Sequence, residues 1–91
     1  MEHTDKAIDD LAVDLSIVMD KIRYIDGVLK YCPDPDTFDK YVSKFDIERD
    51  KMYDIKSRLT KLLADRIDRE KTENLPINMG YRLLYKELGK F

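Results

Sequence analysis

The chain is expected to be all-α: a long antiparallel helical hairpin, coiled-coil-like in its packing, followed by a short C-terminal helix. Two apolar series and the breaks between them carry that expectation. The first is Ile8, Leu11, Leu15, Val18, Ile22, Ile25, Leu29 and Cys32, recurring at spacings of three and four. The second is Phe38, Tyr41, Phe45, polar Glu48, Met52, Ile55, Leu59 and Leu62. Folded back on each other, partners sum to 70 in residue number, from Cys32 with Phe38 to Ile8 with Leu62. One alignment therefore matches the two series end to end.

The first helix is placed at about residues 5–32. Thr4 is its expected N-cap, and Asp5 lies in a first turn where the helix dipole favours negative charge. Pro33 disfavours helical geometry at Cys32 and ends the hydrogen-bond ladder, which puts the turn at 32–35. Asp34 then reads as an N-cap with Pro35 at the first helical position, where its missing N–H costs nothing. So short a turn leads directly to antiparallel neighbours.

The second helix is expected over about 35–71. Its seam drifts near the end, where Leu63 and Ile67 take over from Arg66 and Arg69 at the strict positions. Glu48 is the polar exception in the row. It falls opposite Ile22, with Lys21 and Arg23 near enough to meet it, or else marks a break around Asp46–Asp50. Like charges at Asp46, Asp50 and Asp54 weaken the helix at that point. A linker at 72–77, containing Asn74 and Pro76, precedes a third helix at about 78–89. Ile77, Tyr81, Leu84, Leu88 and Phe91 repeat along it, and Gly89 suits its end.

Ninety-one residues make one small domain, 1–91, at the lower limit of what a single core stabilises. Forty per cent of them are charged, and the apolar 43% is too regularly spaced for a disordered chain. No apolar run is long enough to span a bilayer, and the first residues lack the pattern of a signal peptide, so a cytoplasmic location is expected. The single cysteine excludes an internal disulfide. Residues 1–50 hold 7 basic and 13 acidic side chains, and residues 51–91 hold 10 and 6. The hairpin alignment would set Asp14 beside Lys56 and Asp9 beside Lys61, neutralising one block with the other.

Catalysis is not expected. His3 is the only histidine and falls in the expected frayed terminus before the first helix, so no Ser–His or Cys–His pair is expected from the ordered elements. One Cys and one His exclude a structural zinc site, and no Glu-x-x-His motif is present for a di-iron centre. Asp34, Asp36 and Asp39 lack the glycine and glutamate of a calcium loop and read as helix-capping charge. Asp46, Glu48, Asp50 and Asp54 could serve a magnesium-dependent nucleotide-processing enzyme only if they converged, and their spacing scatters them around the helix. No metal or cofactor is implied.

The functional expectation rests on a surplus of apolar surface. At about 100° per residue, Val13, Ile17, Tyr24, Val28 and Tyr31 form a second stripe on the first helix, away from the main seam. A third helix of about 14 residues spans about 21 Å and starts from the open end of the hairpin. It is expected to shield the region from Leu11 to Ile17, together with Ile55, Leu59 and Leu63, and to stop short of the turn. Ile17, Tyr24, Val28, Tyr31, Phe38 and Tyr41 are thus the expected interface. That predicts a non-catalytic protein–protein interaction module with a regulatory, inhibitory or structural task. It would form a homodimer that completes a helical bundle, or dock on a larger protein. The alternative is a nucleic-acid accessory role through the basic open end, using Lys56, Arg58, Lys61, Arg66, Arg69, Arg82 and Lys86. An acidic pI of 5.4 and the absence of helix-turn-helix spacing stand against it.

Overall fold

A computed structural model describes residues 2–31 and 34–90, with side chains from Asp5 onward. The described residues form three helices, α1 (Glu2–Lys30), α2 (Pro35–Thr72) and α3 (Met79–Leu88). Cys32, Pro33 and Phe91, to which the sequence assigns the seam's end, the break and the tail of the third helix, lie outside the described residues. α1 starts a turn earlier than expected. Thr4 is inside the helix and does not cap it, since nothing in Glu2 or His3 interrupts the hydrogen-bond ladder.

Asp34 caps α2 as its sequence context demands. It has extended backbone geometry, and its carboxylate accepts from the Asp36 amide at 3.3 Å and from the Thr37 hydroxyl at 2.7 Å. The Thr37 bond, then the backbone donors, hold the Asp34 carboxyl below its ordinary range. α2 runs unbroken through Asp46–Asp50, so no break forms there. Salt bridges Arg49–Asp46, Lys51–Glu48 and Arg58–Asp54 along its own surface offset the like-charge crowding. Glu48 pairs with Lys51 one turn on, and not with Lys21 or Arg23. α2 ends where Asn74 takes a left-handed conformation, φ 54°, which asparagine tolerates better than most residues.

α1 and α2 pack side by side as an antiparallel hairpin in a body 57 Å long. Asp5 meets Arg66 at the open end, Leu11 lies with Leu62, and Ile25 lies with Lys44 and Glu48. The alignment thus follows the predicted pairing to within about one helical turn. Of the expected charge pairings, Asp9 instead accepts from the Tyr81 hydroxyl, and Arg66–Asp5 bridges α1 to α2 at the open end.

α3 lies in the groove on one side of the hairpin. Leu88 joins Ile8, Leu15, Leu59 and Leu63 in the fully enclosed core, and Leu84 and Tyr81 pack against it. On α1, α3 therefore covers the row Ile8, Ala12, Leu15 and Met19, and leaves Val13 and Ile17 exposed. This corrects the expected coverage up to Ile17. Val13 and Ile17 sit roughly 160° from Ile8 and Leu15 on the helix wheel, so one helix seated over the latter cannot touch the former.

Candidate interaction surface

Two residue groups are candidates for function, and the fold treats them differently. The first is the surplus apolar stripe. Ile17, Tyr24 and Tyr31 face away from both α2 and α3, with exposures of 49%, 66% and 86%. Val28, on the rim of the same row, is half-buried. Phe38 and Tyr41 belong to the seam row of α2. Phe38 is 42% exposed, while Tyr41 is half-buried with the Lys44 ammonium 4.9 Å from its ring centre. The structure therefore gathers Ile17, Tyr24 and Tyr31 on one face, and sets Phe38 and Tyr41 at the edge of the hairpin on the other helix.

Two ion pairs lie along the exposed surface of α1. Arg23 bridges Asp20 at 3.2 Å and Lys30 bridges Asp26 at 3.2 Å, all four well exposed. These pairs contribute little stability.

The second group is the basic open end, and here most of the arginines are engaged in holding the fold. Arg66 is buried: its Nε donates to Asp5 at 3.0 Å, Nη1 to Glu70 at 3.3 Å and Nη2 to the Pro76 carbonyl at 3.3 Å. Arg82 reaches the other Glu70 oxygen at 2.7 Å, Arg69 bridges Glu73 at 3.1 Å, and Arg58 bridges Asp54 at 3.2 Å. Lys61 and Lys86 are exposed and Lys56 is half-buried. A phosphate backbone would have to compete with carboxylates for at least four of the seven cations.

Glu70 is the residue that periodicity does not reveal. Its side chain is almost fully enclosed and ties α2 to both the linker and α3. The Asn78 amide, 2.9 Å away, is the largest influence holding its carboxyl below the ordinary range; burial opposes this, and Arg82 and Arg66 add to it. Asn78 in turn caps α3 by accepting from the Tyr81 amide at 3.0 Å. The sequence signal for this knot was faint: a Glu four residues after an arginine in the seam row, and an Asn just before the third apolar run.

Tyr81 closes the same end. Its hydroxyl donates to Asp9 at 2.9 Å, with the Asp5 carbonyl oxygen 3.3 Å away. Burial first, and the bond to Asp9 second, push its phenol up from 10.0 to about 12. The folded state holds that proton more tightly than the unfolded chain, so this contribution is intact below pH 10 and fades as pH rises towards 12. A titration at 295 nm is expected to show one phenol ionising near 12, and Tyr81→Phe to remove it.

Among the described residues, no three His, Cys, Asp or Glu side chains converge to hold a metal ion, and no helix is long and apolar enough to cross a membrane. No family model, curated protein or solved structure matches the chain.

Proposed function

We propose that this is a non-catalytic helical interaction protein that docks on a larger protein through the outer face of α1. One observation carries the reading: Tyr24 and Tyr31 stand far out from the hairpin, in line with Ile17, beyond the reach of α3. Tyrosine is favoured in such places because its ring buries apolar area while its hydroxyl bonds at the rim. With Tyr24, Val28 and Tyr31 spaced at i, i+4, i+7, the matching surface on the partner is an apolar groove that accepts a helix.

The test is a pair of chains used as bait, wild type and Tyr24→Asp/Tyr31→Asp. The double variant is expected to keep its helicity and to change folding stability by no more than about 0.5 kcal/mol, because both rings are exposed. A partner captured by the wild type and lost from the variant supports the reading. A partner retained by the variant, or loss of helicity in it, overturns it.

A further inference from the structure

We propose that a second copy of this chain docks on the hairpin face opposite α3, about a two-fold axis parallel to the helices, so that each α1 lies along the other copy's α2. This is a different face from the tyrosine stripe. Two open troughs mark it, one of ≈ 550 Å³ floored by Ala7, Leu11 and Leu62, the other of ≈ 320 Å³ with Ile25 and Ile47 at its base. On α1 the lining residues are Ala7, Asp10, Leu11, Lys21 and Ile25, which share one flank of the helix at about 100° per residue. No residue of α3 touches either trough. Ile47 is 56% exposed there, a β-branched apolar side chain left in water on a seam flank.

The charges choose the occupant and its orientation. On this flank α1 carries Asp10 and Asp14 near the open end, and at the same level α2 carries Lys61 and Arg58, the latter shared with its own Asp54. A two-fold axis parallel to the helices sets the acidic rim of each copy over the basic rim of the other, twice per dimer. An axis perpendicular to the helices would instead lay α2 on α2, with Lys61 and Arg58 over Lys44 and Lys51 of the second copy. That arrangement opposes like charges along α2, offset only by Asp10 meeting Lys21 along α1.

A further feature of the second trough agrees. Glu48 Oε2 is buried with no hydrogen-bond partner, and Lys21 lines the same trough. In a closed interface the ammonium groups of Lys21 and Lys44, which both line this trough, are the cations available to that oxygen. The size is adequate too. A face 57 Å long and two helix diameters wide exceeds the roughly 800 Å² that each partner contributes to a stable interface. The product is a four-helix arrangement with α3 of each copy on its outside.

The experiment uses full-length chains and light scattering at about 100 µM. Wild type is expected at twice the 10.8 kDa chain mass. Asp10→Lys/Asp14→Lys and Arg58→Glu/Lys61→Glu are each expected to be monomeric alone, and to regain the doubled mass when mixed one to one. Ile47→Lys, at an exposed position that cannot unfold the chain, is expected to weaken association at least tenfold. Tyr24→Asp/Tyr31→Asp is expected to remain dimeric, which separates this face from the docking stripe. A monomeric wild type, charge variants that still dimerise alone, a mixture that stays monomeric, or a dimer lost with the tyrosines would each overturn the proposal.

Discussion

Leu59→Ala is expected to cost about 2–5 kcal/mol of folding free energy, the range for truncating a large buried aliphatic side chain. Leu59 is fully buried where all three helices meet, packed with Ile8, Leu15, Leu63 and Leu88. The hairpin alone cannot collapse into the space, because α3 is held at its start by the Glu70 knot and at its end by Leu88. Domains of this length have a net stability at the low end of about 5–15 kcal/mol. A single truncation here therefore removes a large share of it. Urea unfolding followed by circular dichroism measures the loss directly. A midpoint unchanged from wild type would show that α3 does not close over Leu59.

The second large effect is expected at Glu70. Glu70→Ala leaves the Arg66 guanidinium buried with only Asp5 and one carbonyl, frees Arg82 from its partner and strips the Asn78 amide of its acceptor. Breaking one member of a buried charged network costs more than the network contributes intact, since the remaining charge stays desolvated. The melting temperature is expected to fall by on the order of 10 °C. α3 should lose amide protection before the hairpin does.

The same residue sets the acid limb. Its folded carboxyl lies below the ordinary 4.5, so its contribution is complete above that value. It is lost progressively as pH falls through the depressed value. Glu70→Gln is expected to flatten the stability profile below pH 4.5. A profile that kept the wild-type slope would place the acid sensitivity elsewhere, with the Asp34 cap, also depressed, as the next site to replace.

Much of the architecture was legible because helices announce themselves locally. Spacings of three and four fixed the apolar rows of α1 and α2, and Asp34 with Pro35 marked a start within one residue. The antiparallel alignment could be counted out in advance because only one offset matches both rows along their length. Glu48 was visible as an exception, but not its partner. A lysine one turn along the same helix and two bases across the seam are equally close in sequence terms, and only the packed geometry separates them.

Arg66 shows where periodicity stops informing. It stands at a strict seam position, and the expectation was that Leu63 and Ile67 would displace it. Leu63 is indeed fully buried, yet Arg66 is buried as well, since Asp5, Glu70 and the Pro76 carbonyl together satisfy its donors. Those partners come from three separate parts of the chain. Only the Glu70 partner follows from local spacing; Asp5 and the Pro76 carbonyl are brought in by where α1 and the linker dock.

The chain by itself thus determined its helices, its main break and the pairing of its two long rows, all products of short-range sterics and apolar periodicity. The tertiary structure alone decided which flank of the hairpin α3 takes. That choice divides the remaining apolar surface into a tyrosine stripe and an open face on the flank opposite α3. The physical reason is that two flanks of one seam are nearly equivalent to a short amphipathic helix. What breaks the tie is the Glu70–Arg66–Arg82 knot and the Tyr81–Asp9 bond, polar contacts whose partners are up to 72 residues apart.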